Sequence, residues 1–324
     1  MKFYFAPMEG VTKFVLRNAQ NAHFGGVDKY FAPFVVTNQN GKLKHRELQD
    51  ILPENNKGIT LIPQILSGNA NDFVNTSKVI KELGYDEINL NLGCPSGTVV
   101  TKRKGSGMLT DVEELDHFLE EIFAAEVTKI SIKTRLGIEN PEEFYKIMEI
   151  YNKYPMTELI IHPRVQKDFY KNTPNLTVFK DALATSKHPI CYNGDLYTPS
   201  DYNNFIAEFP TVDRVMLGRG VIANPGLIKE IKTGQTIEKE SLKAYHSELL
   251  CGYKELLSGD RNVLFKMKEV WFYLHHIFED SEKMAKKIRK TEKMSDYEAA
   301  VATLFATKEL RSGNDCTVNQ IFHK

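Results

Sequence analysis

Short runs of alternating apolar and polar residues recur through the first two-thirds of the chain, each followed by a longer stretch with helical spacing. From Glu87 to Leu92, Ile88, Leu90 and Leu92 interleave with Asn89 and Asn91, the period of a strand. Further strands are predicted at 3–6, 27–35, 58–66, 129–135, 158–162, 189–193 and 214–217. Between them, 73–83, 112–125 and 142–151 space their apolar residues for one helical face. Eight strands, each followed by a helix or a long connection, predict an α/β fold of the (β/α)8 TIM-barrel type. A doubly wound sheet also satisfies the alternation. The barrel is preferred because Pro7-Met8-Glu9, Gln64, Asn91 with Cys94, Lys133 with Arg135, His162, Asn193-Gly194-Asp195 and Gly218-Arg219 follow or end separate strands. A barrel brings all those ends to one mouth; an open sheet scatters many of them.

The alternation stops near Gly234. Residues 233–240 are polar and read as a linker, and the remainder is helical. Val263, Leu264, Met267, Val270, Trp271, Leu274, Ile277 and Phe278 trace one helix face. With helical patterns at 242–257, 283–290 and 296–310 they predict a small C-terminal bundle of about four helices. The expected division is 1–235 for a catalytic barrel and 236–324 for a helical domain.

Composition narrows the partners. Lysine plus arginine number 42, as do aspartate plus glutamate, so the formal net charge is zero. The field of the whole molecule will not attract nucleic acid, and any RNA binding must come from local basic patches. Cys94, Cys191, Cys251 and Cys316 are far apart with no Cys-x-x-Cys pair. That speaks against a metal site or a disulfide framework and for a reducing compartment. There is no signal-peptide pattern, and no apolar stretch approaches the ~20 residues of a membrane span. The expectation is a soluble cytoplasmic protein with no membrane or obligate protein partner.

Cys94 lies between Gly93 and Pro95 at a strand end, where the backbone turns and the thiol projects; a role in chemistry fits it better than packing. Cys191 and Cys251 are expected in the core, the usual place of a free cysteine, and Cys316 carries no functional weight. Lys133 and Arg135, two residues apart on a strand, share a face. Facing into a barrel they call for an anion or an electron-rich ring; at a solvated strand end they call for nothing. Asn193-Gly194-Asp195 and Gly218-Arg219 close the last two strands, where barrels commonly hold a phosphate. Together they suggest a phosphorylated cofactor such as flavin mononucleotide (FMN). His275 and His276 read as structural. Lys102-Arg103-Lys104 and Lys283, Lys286, Lys287, Arg289, Lys290 and Lys293 form either solvated faces or a track for a phosphate backbone.

Together these residues resemble the tRNA-dihydrouridine synthase family. The resemblance rests on Ala6-Pro7-Met8-Glu9-Gly10-Val11, on Asn91-Leu92-Gly93-Cys94-Pro95 followed by Gly105-Ser106-Gly107-Met108-Leu109, and on Lys133-Thr134-Arg135. His162-Pro163-Arg164, Asn193-Gly194-Asp195 and Gly218-Arg219-Gly220 extend it over residues 3 to about 230. Many members carry a Thr-Glu pair at the end of the second strand, where this chain has Ala32-Pro33-Phe34. The resemblance implies FMN-dependent reduction of a uracil C5=C6 bond in tRNA, with NADPH re-reducing the flavin. It implies Cys94 as the acid that protonates C5, and Lys133 beside the flavin N1/O2 edge. Pro7, Met8, Glu9, Gln64 and His162 would cradle the flavin, and Asn193, Gly194, Asp195, Gly218 and Arg219 its phosphate end. Asn91 and Arg135 would read the flipped uracil and its sugar or phosphate, with Lys102 and Arg103 on the tRNA backbone. An enzyme like dihydroorotate dehydrogenase, with the same barrel and flavin acting on a free pyrimidine, is the alternative; it leaves the basic loop and helical appendage unexplained. A tRNA-binding protein without catalysis leaves Cys94 and Lys133 unexplained.

Overall fold

A computed structural model describes residues 1–38 and 41–311. Its strands, all parallel, are β1 (Lys2–Phe5), β2 (Lys29–Phe31), β3 (Leu61–Ile62 and Gln64–Leu66), β4 (Glu87–Leu92), β5 (Lys129–Thr134), β6 (Leu159–Ile161), β7 (Ile190–Tyr192) and β8 (Arg214–Leu217). Pro63 has no N–H to give and interrupts β3. The first half of β3 pairs with β2 and the second with β4, while the Pro63 carbonyl accepts from Asn89 N–H at 2.9 Å. Since β1 pairs with both β8 and β2, the ring closes as a barrel. The run predicted at 27–35 is shorter than expected: after β2, the stretch Ala32–Pro33–Phe34 leaves the ladder, and Val35–Val36 pairs separately with the end of β3.

The strand alternation has an unexpected meaning. Ile88, Leu90 and Leu92 face outward into the core shared with the surrounding helices. Asn89 and Asn91 bond instead to Gln64 of β3 and Ser131 of β5, inside the barrel rather than in water. At the amino end of the strands the interior is sealed by Glu158, which accepts from Tyr4 Oη and Lys29 Nζ, each at 2.8 Å, and from Arg214 at 3.2 Å. Above it Tyr4, Ala6, Phe31, Ile62, Ile160, Cys191 and Met216 form a separate apolar plug. Cys191 therefore packs as expected. Only the carboxyl ends remain open for polar side chains.

Four helices follow the barrel: α1 (Lys239–Leu256), α2 (Asp260–Leu274), α3 (Glu282–Lys290) and α4 (Met294–Thr307). The expected linker is short, because a helix runs to Thr233, Gly234 stops it with φ +72°, and α1 begins at Lys239. Trp271 is fully buried and donates to Tyr297 Oη at 2.8 Å; Tyr297 lies 2.6 Å from His246 Nε2. Burial lowers His246 to about 4, so this histidine is a neutral acceptor. His275 and His276 are likewise buried, lowered to about 4 and about 3 by burial. The bundle sits directly on the barrel: a Cβ on Gly252 of α1 would lie 2.8 Å from Val15, so only glycine allows this approach. Lys266 of α2 donates to the Gly10 carbonyl at 3.0 Å, tying the bundle to the loop after β1.

Cys251 is a correction. It is exposed, because the buried face of α1 runs through Leu242, Tyr245, Leu249 and Tyr253, and position 251 falls off that stripe. Cys316 lies outside the described residues. Among the described residues, no helix is long and apolar enough to cross a membrane.

Candidate active site

The strand ends converge. Pro7, Met8, Glu9, Gln64, Asn91, Cys94, Lys133, Arg135 and His162 line one cavity of about 410 Å³. An adjoining recess of about 60 Å³ is lined by Asn193, Gly194, Asp195, Gly218 and Arg219, and shares Pro7, Met8, Lys133 and His162 with the cavity. Lys102 and Arg103 line neither; both are exposed beyond the rim, and Arg103 pairs with Glu114.

Cys94 is held through its backbone. Asn91 Oδ1 accepts from the amides of Gly93 and Cys94 at 3.1 and 2.9 Å, and Ser106 N and Oγ donate to the Cys94 carbonyl at 3.1 and 2.9 Å. Gly105 has φ +57°, and a Cβ there would meet the Cys94 carbonyl at 2.9 Å, so glycine is required beside the thiol turn. Burial pushes the Cys94 thiol up; the Ser96 amide, Arg135 and Lys133 oppose this without reversing it. The group stays a neutral thiol, a proton donor rather than a nucleophile.

Asn91 is oriented in turn by a buried chain of amides. Its Nδ2 donates to Gln64 Oε1 at 2.7 Å, Gln64 Nε2 donates to Asn89 Oδ1 at 2.7 Å, and Asn89 Nδ2 donates to Ser131 Oγ at 3.0 Å. Ser131 Oγ finally donates to the Ile88 carbonyl at 3.4 Å. A carbonyl can only accept, so the direction of every bond back to Asn91 is set.

Lys133 contrasts with these satisfied groups. Among the described residues no hydrogen bond or ion pair engages its Nζ. Burial, with Arg135 second, lowers it to about 8. An unpaired ammonium facing a cavity invites an anion. Arg135 is already occupied: three of its N–H groups donate to the carbonyls of Gly93, Val165 and Phe169 at 3.0, 2.9 and 2.6 Å. It ties the Cys94 turn to the loop after β6, where Phe169 is held at φ +52°, uncommon for a bulky residue.

Arg164 was legible in sequence only as part of a motif. Its fully buried guanidinium forms a two-pronged pair with Asp195 and also donates to His162 Nε2 at 3.0 Å. Arginine only donates, so His162 carries its proton on Nδ1. Burial and the surrounding cations hold His162 well below its ordinary range. Asp195 also accepts from Arg219 at 2.8 Å, so this carboxylate of the recess is shared by Arg219 and the buried Arg164. A Cβ on Gly194 would lie 2.0 Å from Tyr192 Oη, which excludes every other residue there. Tyr170 and Tyr273 were not anticipated. Tyr170 lines both spaces with its ring 4.7 Å from the Arg219 guanidinium, and Tyr273 of α2 reaches the larger cavity from the bundle.

A family model for dihydrouridine synthase (Dus) matches residues 4–319. The chain belongs to this family. It is accordingly an enzyme, an oxidoreductase. The tRNA-dihydrouridine(16) synthase of Aquipseudomonas alcaligenes is 26% identical across 71% of this chain and 75% of its own length. The tRNA-dihydrouridine synthase B of Shewanella oneidensis is 25% identical across 83% of this chain and 85% of its own. Among solved structures, morphinone reductase in complex with tetrahydroNAD superposes with a TM-score of 0.51 at 13% identity, covering 74% of this chain and 89% of that one. A 2-naphthoyl-CoA reductase reaches 0.54 at 12% identity, covering 72% and 50%. At these identities the likeness is one of fold.

Proposed function

We propose that this enzyme reduces the C5=C6 bond of a uridine in tRNA to dihydrouridine, using FMN with NADPH as the reductant. The observation that carries the reading is one cavity faced by both a neutral thiol, Cys94, and an unpaired ammonium, Lys133. The residues fit FMN: Lys133 lacks an anion, and a Cβ on Gly218 would stand 3.3 Å from Ala6 and 3.7 Å from Met8, narrowing the recess that Gly218 lines. Pro7, Met8, Glu9, Gln64, Lys133 and His162 would hold the ring system, with Asn193, Gly194, Asp195, Gly218 and Arg219 at the phosphate end. Held there and reduced by NADPH, FMN would supply the hydride that uracil C6 needs.

The protein's own residues do the rest. Cys94 gives its S–H proton to C5 and regains one from solvent; general acid catalysis of this kind contributes ~10²–10⁴ in rate. Lys133 places a fixed positive charge where negative charge develops. Asn91 and Arg135 keep the thiol turn in register, each with N–H capacity left for the base or its sugar. The target base must leave its stack to enter, so the rest of the tRNA needs its own grip. We assign that grip to residues 236–324 together with Lys102 and Arg103, and the chemistry to residues 1–235.

The test is direct. Purified protein is incubated with FMN, NADPH and unmodified tRNA, and dihydrouridine is measured by mass spectrometry of nucleosides. Reduction of free orotate or uracil with tRNA untouched would assign the alternative activity; a colourless protein that does not take up FMN would refute both.

A further inference from the structure

On helix α2 a stripe of Arg261, Phe265 and Phe272, all exposed, and Lys268, half-buried, occupies positions i, i+4, i+11 and i+7 of one face. Large apolar side chains are rarely left so open: Phe265 is 61% and Phe272 50% exposed. One end of the stripe is next to the active cavity: Phe272 packs edge-on against its chain neighbour Tyr273 at 5.0 Å, and Tyr273 lines the same cavity as Cys94. At its other end, Arg261, Phe265 and Lys268 border a groove of about 540 Å³ with Thr291 and Glu292. The surroundings are cationic. Lys266 stands 5.5 Å from the Phe265 ring and neutralises Glu269 at 2.7 Å. Lys268 donates to the Thr291 carbonyl, which places the end of the basic helix α3 beside the stripe. Glu292 is the one carboxylate among the groove's lining residues.

We infer that Phe265 and Phe272 form a stacking track for unpaired bases of the bound RNA, leading to the cavity where the target base enters. The two rings are about 10 Å apart along the helix axis, enough to serve two separate bases. Aromatic faces flanked by cations are how proteins hold single-stranded segments without reading sequence. This division of labour suits a chain with no net charge: cations supply the salt-dependent attraction, and the rings a component that salt leaves untouched. A protein partner would not need the rings beside the catalytic cavity, nor the flanking lysines.

The inference rests on reading the chain as an enzyme of tRNA, but it is tested by binding without turnover. Full-length Phe265→Ala/Phe272→Ala protein is titrated with fluorescein-labelled tRNA, with single-stranded oligouridylate and with a fully paired RNA duplex, at several salt concentrations. Affinity for tRNA and oligouridylate is expected to fall at least ~5-fold per ring, with an unchanged slope against log salt, and duplex binding is expected to change little. Both rings are exposed, so the melting temperature should be retained. Unchanged affinity for tRNA at every salt concentration would overturn the inference. So would wild-type protein that is a dimer without RNA and becomes a monomer in the double variant, which would make the stripe a contact between copies. Wild-type protein that binds tRNA through these rings yet makes no dihydrouridine would refute the proposed activity and leave the track standing.

Discussion

Asn89 touches neither the cavity nor the thiol, yet the amide chain makes Cys94 depend on it. In Asn89→Leu the branching and number of side-chain heavy atoms are kept and the acceptor for Gln64 Nε2 is lost. One buried N–H is then unsatisfied, a cost of about 1–3 kcal/mol of stability. The Gln64 amide also loses what fixes its direction. If it turns, its NH₂ faces Asn91 Nδ2, donor against donor, and Asn91 can no longer hold the amides of Gly93 and Cys94 at 3.1 and 2.9 Å. Displacement of about 1 Å at a reacting group is worth on the order of 10²-fold in rate. Asn89→Asp behaves differently: one carboxylate oxygen still accepts from Gln64, and the Ser131 hydroxyl can swing from the Ile88 carbonyl to donate to the other. The expected order of uridine reduction is therefore wild type, then Asp, then Leu about 10²-fold down, with NADPH reduction of the flavin affected far less because Gln64 is one of several residues assigned to the ring. Anaerobic stopped-flow absorbance separates the two half-reactions, and the alkylation rate of Cys94, followed by peptide mass spectrometry, reports its position without turnover. Were position 89 merely packing, the order would invert, because an unpaired buried charge costs several kcal/mol and leucine nothing. A leucine variant as fast as wild type, or an aspartate variant slower than leucine, sinks the relay.

Four further outcomes follow from the site. Cys94→Ala should keep flavin and its reduction by NADPH while slowing uridine reduction ~10²–10⁴-fold, and full turnover on tRNA would remove the thiol from the mechanism. Lys133, held near 8 mainly by burial, is largely neutral above that pH, and an anion bound beside it raises its pKa. FMN binding between about pH 8 and 10 should then take up a proton, seen as buffer-dependent calorimetric heats that vanish in Lys133→Met; buffer-independent heats contradict this. Arg219→Ala should weaken FMN binding through loss of a charge-assisted phosphate contact, and unchanged affinity would move the phosphate elsewhere. Charge reversal at Lys286, Lys287 and Lys290, all exposed, should flatten the salt dependence of tRNA binding with thermal stability kept; an unaltered slope makes α3 a solvated face.

Much of the barrel was legible because its evidence is local. Each strand announces itself by alternation, and each mouth residue stands at the end of one, so Gln64, Asn91, Lys133, His162 and Asn193 could be placed before any pairing was known. What was illegible depends on register. Nothing near Arg135 says that its donors meet carbonyls 30 and 34 residues on in the loop after β6. The pairing of Asp195 with both Arg164 and Arg219 spans three strand ends. The alternation at Asn89 and Asn91 marked a strand but not where its polar face lies; inside a barrel that face is a buried polar network. Tyr273 was hidden for another reason: it belongs to a helix whose apolar face explained everything around it.

The same register accounts for the neutral charge. Arg17, Arg135 and Arg164 are fully buried and spend their donors on carbonyls, Asp50 or Asp195, so they add nothing to the outer field. Arg103 pairs with Glu114, but both are exposed, and such a pair is worth at most about 1 kcal/mol, little obstacle to a phosphate. The exposed cations of α3, by contrast, enter no ion pair among the described residues. These buried arginines are matched by carboxylates that also lie inside or partly inside, as Glu158, Asp50 and Asp195 do, so the outer balance stays near zero and what RNA would meet depends on where the exposed charges cluster, as on α3. The end of that basic helix adjoins the aromatic stripe, because Thr291 and Glu292, just beyond α3, line the groove with Phe265 and Lys268.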